Sequence, residues 1–336
     1  MMLFRRARDT DLHNIHQLAE KSGVGMTTLS KNLSVLKKRL VLSTASFDKK
    51  VSAPKNEYYF FILEDTSSGQ LVGTSAIIAV NGHDAPIYSY KVTQHVNECP
   101  TLNKHITFET LSMAHDIQGF SEICTLFLDP SYRQGHNGML LSRARFLFMA
   151  EHPNRFTKQI IAEMRGVADD AGNSPFWNAV GRPFFNMSFA EADHLSSLED
   201  KQFIEQLMPK YPIYVPLLTP EAQAVIGRPH PLTVPAMRIL SREGFHYNHY
   251  VDIFDAGPTV IASREGIRTI TTSNRFVVQS ITHEVENERW IMANPLQDFR
   301  ATVGHAHITK QHVVISKIAA EVLQLTCGDV VRMAPL

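Results

Sequence analysis

One stretch of the sequence combines a basic residue, closely spaced glycines and the start of a helix: Asp129-Pro-Ser-Tyr-Arg133-Gln-Gly135-His136-Asn137-Gly138. It follows a continuous apolar run, Ile123 to Leu128. A loop between strand and helix can aim consecutive backbone N–H groups at a phosphate, and the helix N-terminus adds partial positive charge worth roughly 0.3 to 1 kcal/mol. Arg133 can add a full charge, with Gly135, Asn137 and Gly138 as the backbone positions around the anion. The same glycines also suit an ordinary strand-to-helix turn in which they only permit positive φ, and spacing alone leaves both readings open. A second candidate is His230 in Arg228-Pro-His-Pro231. The flanking prolines stiffen the loop, and an imidazole can give or take a proton near neutrality. A single histidine among sixteen is also at home as a surface or hydrogen-bonded residue.

The composition bounds what such groups can serve. With 336 residues the chain exceeds the size of one growing core, so a main domain plus a smaller one is expected. Hydrophobic residues at 44% and charged ones at 20% describe a chain that folds throughout. The 33 basic and 33 acidic residues balance, so no overall field gathers nucleic acid or an anionic membrane, and a small-molecule partner fits better. Cys99, Cys124 and Cys327 lack metal-ligand spacing and read as reduced structural thiols. No metal is expected. Arg5, Arg6 and Arg8 are not followed by an apolar stretch, and no segment reaches bilayer-spanning length, so the expected location is the cytoplasm.

The elements that must position these groups follow from pattern. Met2 to Arg8 reads as a strand, and Asp9, Thr10 and Asp11 offer N-caps for a helix through Ile15, Leu18 and Ala19. Residues 22 to 29 form a glycine-containing loop of the kind that borders pockets, before a helix around Leu33, Leu36 and Leu40. Tyr58 to Leu63 and Leu71 to Val80 flank Asp65-Thr-Ser-Ser-Gly69 and predict a hairpin. Tyr88 to Val92 and Ile106 to Leu111 are weaker strands. Ile123 to Leu128 belongs in the centre of a sheet, followed by a helix with Leu140, Ala144, Leu147 and Phe148 on one stripe and a buried strand, Gln159 to Met164. Phe176 to Phe185 and Met237 to Tyr247 each suggest a helix-to-strand corner, with Phe176 and Trp177 in the core. Beyond Asp255-Ala-Gly-Pro258 short strand-like stretches follow: Thr269 to Thr272, Phe276 to Ile281 and Val313 to Ile315.

The strand, Arg133-x-x-x-x-Gly138 loop and helix resemble the pyrophosphate-binding motif of the GNAT acyltransferase superfamily, with His136 in place of the motif's middle glycine. Longer blocks are similar to the arginine N-succinyltransferase family: Ser121-Glu-Ile-Cys-Thr-Leu-Phe-Leu-Asp-Pro130, Ala162-Glu-Met-Arg-Gly166, Ser174-Pro-Phe-Trp177, Glu205-Gln-Leu-Met-Pro-Lys210 and Tyr250-Val-Asp-Ile-Phe-Asp-Ala-Gly-Pro258. The resemblance runs over residues 1 to 258 and returns at Cys327-Gly-Asp-Val-Val-Arg332. It implies an α/β fold: an enlarged GNAT-like mixed sheet over residues 1–256, then a small β-barrel-like domain over 257–336.

It also implies a reaction, transfer of succinyl from succinyl-CoA to the α-amine of L-arginine by direct attack in a ternary complex. By the same likeness Leu126 is a succinyl-CoA contact and His230 the proton donor. The substrates then direct attention to Glu163 and Arg165, one carboxylate and one guanidinium at alternate positions near a strand end. Equally, that pair suits a salt bridge at the rim. Asp252 and Asp255 are further partners for a guanidinium. Ornithine is the alternative acceptor, and His136 favours another class, an acyl-CoA-binding sensor or subunit without turnover. The family allows a homo-oligomer or paired related subunits.

Overall fold

The structure is a computed structural model that describes residues 1–23, 25–83, 86–169, 171–196, 202–285 and 288–336. The chain opens with β1 (Met2–Arg6), a single 3-10 turn and α1 (Leu12–Lys21). Asp11, expected as an N-cap, instead accepts the Arg8 N–H at 2.8 Å and holds the buried Arg5 guanidinium at 2.7 and 3.0 Å. The glycine loop, of which Val24 lies outside the described residues, leads to α2 (Leu33–Asp48), capped by Asn32 through the Ser34 N–H at 2.9 Å.

The expected hairpin is β2 (Tyr58–Asp65) and β3 (Gln70–Ile78), closed by Asp65 accepting the Ser67 N–H, with Gly69 at φ +70°. The two weaker strands prove to be a long hairpin, β4 (Ser89–Cys99) and β5 (Lys104–Ala114). Its outer half is largely exposed, so no apolar alternation marks it. The apolar run is β6 (Ser121–Leu128), between antiparallel β3 and parallel β7 (Gln159–Glu163). Beyond β7 come β8 (Ile213–Tyr214), β9 (His246–Asp252) and β10 (Pro258–Ser263), and the last paired to β7 keeps the chain in this sheet through Ser263.

Between β6 and β7 runs α3 (Asn137–Glu151). A single apolar stripe was expected, yet Leu140 to Met149 are buried all round, including Arg143 and Arg145. The C-terminal segment covers the second side: Arg143 donates to the Pro335 carbonyl at 2.7 Å and pairs with Glu243 at 2.8 Å. That segment holds β11 (Asn274–Thr282), β12 (Arg289–Ala293), β13 (Arg300–Thr309), β14 (His312–Ser316) and β15 (Val330–Pro335), in the order β12-β15-β11-β14-β13 with β12 and β13 also paired. This is a closed five-stranded barrel, and with the mixed sheet it is the fold class the resemblance implied. Pairing of β13 with β1 joins it to the first sheet.

Two expectations fail locally. Phe176 to Phe185 does not turn into a strand but forms two short helices, Pro175–Ala179 and Arg182–Phe185. Gly181 is there for contact, since a Cβ on it would meet the Trp177 ring at 2.2 Å. Thr269 to Thr272 is helical (Arg268–Thr272) despite its β-branched residues, because the Thr271 and Thr272 hydroxyls donate back to the Arg268 carbonyl at 3.0 and 2.8 Å and Glu243 accepts the Thr269 N–H.

Candidate active site

β6 and β7 are paired only through Ser121 with Ile160 and Glu122 with Ile161, after which they part. Just beyond, β6 carries a register slip against β3, and Thr125 sits at φ +57°, a conformation unusual for a β-branched residue. The slip is held from outside. The Thr125 N–H donates to the Thr28 hydroxyl at 3.1 Å and its own hydroxyl to the Thr28 carbonyl at 3.2 Å, so the glycine loop docks on the bulge.

The gap between the parted strands is a cavity of about 320 Å³. Ile123 to Leu126 of β6, Ala162 to Arg165 at the end of β7 and Gly25 to Thr28 of the glycine loop form its walls. Leu126 therefore faces the cavity, as do Glu163 and Arg165. Gly25, at φ +84°, lies against Arg165: a Cβ on it would come within 3.0 Å of the guanidinium Nε.

His230 stands just behind this wall. Its N–H donates to the Arg165 carbonyl at 2.8 Å, and the residues after it, Leu232 and Thr233, line the cavity. The side chain caps the 3-10 turn Pro231–Thr233 that leads into the helix Val234–Arg242, with Nδ1 accepting the Leu232 N–H at 3.1 Å. An accepting Nδ1 fixes the tautomer, so in the neutral ring the proton is on Nε2.

The loop at the start of α3 is a separate feature further along β6. Arg133 is exposed and folds back, its Nε donating to the Leu128 carbonyl at 3.0 Å. Asn137 is turned inward, donating to the Tyr132 carbonyl at 3.0 Å. Gly135 adopts φ +58°, and the space a side chain would fill at Gly135 and Gly138 is empty. His136, the departure from the motif, directs its ring toward the barrel, where Nε2 lies 2.9 Å from the Arg289 guanidinium.

Comparison with known proteins finds relatives along the whole chain. Residues 2–269 match the family model described as arginine N-succinyltransferase beta subunit, and residues 273–335 match the model of that subunit's C-terminal domain. The chain is 41% identical to the arginine N-succinyltransferases of Photorhabdus laumondii subsp. laumondii and Yersinia enterocolitica, in each case over 100% of this chain and 98% of the relative. The solved arginine/ornithine succinyltransferase subunit AI from Pseudomonas aeruginosa superposes with a TM-score of 0.91 at 39% identity, over 100% of this chain and 98% of that one. The chain belongs to the arginine N-succinyltransferase family.

Several further charged groups line this succinyltransferase-family cavity. Asp193, on the helix Phe189–Ser196, was not singled out from sequence, where it is one acid in an irregular stretch. It accepts the Gly25 N–H at 3.2 Å, and burial, with the charge of Asp252 added, pushes its carboxyl up to about 6 against the pull of Gly25 and Arg165. Asp252 and Asp255 both line the cavity; Asp252 accepts the Phe254 and Asp255 N–H groups at 2.7 and 3.0 Å, and the more deeply buried Asp255 those of Gly166 and Gly257 at 2.6 and 2.8 Å. Cys124 faces the cavity beside Leu126, but burial pushes its thiol up to about 12, which removes it as a nucleophile. Two arginines missed in the sequence, Arg39 and Arg145, complete the lining. Among the described residues no group of His, Cys, Asp and Glu could hold a metal ion, and no helix is long and apolar enough to cross a membrane.

Proposed function

We propose that this chain transfers the succinyl group of succinyl-CoA to the α-amine of L-arginine, in the cytoplasm and without a metal. The observation that carries the reading is the cavity where β6 and β7 part, which is lined by a bulged strand and by side chains of both charges. The names of its whole-length relatives supply the substrates.

In this reading the CoA pyrophosphate lies on the loop from Arg133 to Gly138, the pantetheine runs along β6, and the thioester reaches Leu126. Asp193 and Asp252, with Glu163, receive the guanidinium of the acceptor, and Arg165 its carboxylate. The amine attacks the thioester carbon, the C–N bond forms, the C–S bond breaks, and the amine's proton ends on the departing sulfur. His230 assists as proton donor through Nε2, its Nδ1 being turned to the Leu232 N–H. The Pseudomonas aeruginosa relative is described as a subunit that takes arginine or ornithine, so an assembly of subunits and ornithine as a second acceptor both belong to the proposal.

The test is release of free CoA thiol from succinyl-CoA by the purified chain with arginine, ornithine or no amine. Arginine-dependent release supports the proposal. CoA binding without release for either amine would sink it in favour of a sensor or an incomplete assembly.

A further inference from the structure

We propose that Arg145 selects the acyl group: its guanidinium, buried in the cavity wall beside the β6 bulge with no carboxylate of the described residues on it, receives the terminal carboxylate of the succinyl chain. This rests on the proposed succinyl transfer and adds the residue that distinguishes a dicarboxylic acyl group from a neutral one.

Arg145 projects from α3 and is 1% exposed, yet it lines the cavity. Its partners are neutral: Nε donates to the Ser142 carbonyl at 3.0 Å, Nη2 to the Ser142 hydroxyl at 3.2 Å, and Nη1 reaches the Cys124 carbonyl only at 3.5 Å. Among the described residues no carboxylate pairs with it. Glu122 shares the cavity, and its charge acts on Cys124 and Tyr58. A cation in such a place is poorly compensated. Burial accordingly pushes the Arg145 guanidinium down to about 10, far below the ordinary arginine value. The other buried arginines differ, since Arg5 sits on Asp11 and Arg143 on Glu243.

Position then favours the acyl group over other anions. Cys124 O is two residues before Leu126, where the thioester is placed, and a succinyl carboxylate is only two methylenes from its thioester carbon. CoA phosphates lie with Arg133 beyond the end of β6. The acceptor's charged groups gather around Asp193, on whose carboxyl the charges of Asp252 and Arg165 act. Arg39, which donates to the Thr28 carbonyl and whose charge also acts on Cys124, adds positive potential without being buried as deeply.

The experiment compares kcat/KM for succinyl-CoA and butyryl-CoA, a chain of equal carbon number ending in methyl, at saturating arginine. The full chain is used as wild type, Arg145→Met and Arg145→Lys. The expected result is that Arg145→Met lowers the succinyl preference by roughly ten- to a hundredfold while melting no lower than wild type, and that Arg145→Lys recovers part of the preference. Parallel loss with both thioesters, or a raised KM for arginine at an unchanged acyl preference, would overturn the assignment. Should the variants not fold, a structure of the wild type with a non-reactive thioether analogue of succinyl-CoA decides: a carboxylate on Arg145 supports it and a carboxylate elsewhere refutes it. Wild type that binds this analogue on Arg145 yet releases no thiol with arginine would instead count against the proposed reaction.

Discussion

His230 donates its backbone N–H to the carbonyl of Arg165 at 2.8 Å, which fastens the loop Arg228 to Pro231 to the end of β7. Through its backbone and Nδ1 the histidine holds the wall of the cavity, and the proposed mechanism adds a second duty, proton donation through Nε2. Substitutions can separate them.

His230→Asn places an amide oxygen near the position of Nδ1, so the Leu232 N–H keeps an acceptor while the Nε2 donor disappears. The expected outcome is a melting temperature close to wild type with thiol release lowered by about a hundredfold or more. His230→Ala should lose both, with a cap cost of about 1 kcal/mol. Equal activity in wild type and the Asn variant would remove His230 from the mechanism.

The bulge is open to a similar test. Thr28→Val removes the acceptor of the Thr125 N–H and leaves a buried donor unsatisfied, at a cost of about 1 to 3 kcal/mol. If the bulge presents the thioester, kcat/KM for succinyl-CoA should fall in Thr28→Val and return in Thr28→Ser. A Val variant that is less stable but as active as wild type would show that the bulge needs no such anchor.

Asp193 gives a pH signature. Its folded value of about 6 lies above the ordinary 3.8, so between those limits the folded chain holds a proton that the unfolded chain has released. Stability from this group is therefore present at low pH and is lost as pH rises through about 4 to 6, with a cost above that window of about 1 to 3 kcal/mol. Asp193→Asn should be more stable than wild type at pH 8, with the difference closing near pH 4 in thermal melts. Because a guanidinium needs the ionised carboxylate, the wild-type KM for arginine should rise as pH falls below about 6, and the Asn variant should have a high KM with no such limb.

How far the sequence revealed this arrangement depends on whether a signal was local. β6, the β2–β3 hairpin and the start of α3 are written in runs, turns and glycines only a few residues long. Glu163 and Arg165 could be paired because a strand alternates its faces. Asp193 could not, since it meets Gly25 across 168 residues and no periodicity links them. Arg145 was hidden for another reason: an arginine in a helix normally marks its wet face, and nothing in the local pattern shows that this one turns toward β6, where it reaches the Cys124 carbonyl. Thr269 to Thr272 misled because β-branched composition favours strand until the hydroxyl bonds to Arg268 and the Glu243 carboxylate are known.

Glu151, the last residue of α3, shows what holds the barrel in place. Its buried carboxylate accepts from Arg332 Nε at 2.6 Å and also from Arg275, two residues of neighbouring strands β15 and β11. Burial alone would raise this carboxyl, but the two guanidinium groups outweigh it and hold it below the ordinary range. Glu151→Gln would keep the shape and strand the half-buried Arg332 without a counter-charge, at a cost of about 3 kcal/mol, with less from the more exposed Arg275. A folded value below the unfolded one means that the wild-type advantage is present above the ordinary carboxylate range and is lost as pH falls through the depressed value. The variant should therefore melt several degrees lower at pH 7, with a gap that narrows in acid. A gap that stays constant with pH would show that Glu151 acts by packing and not by charge.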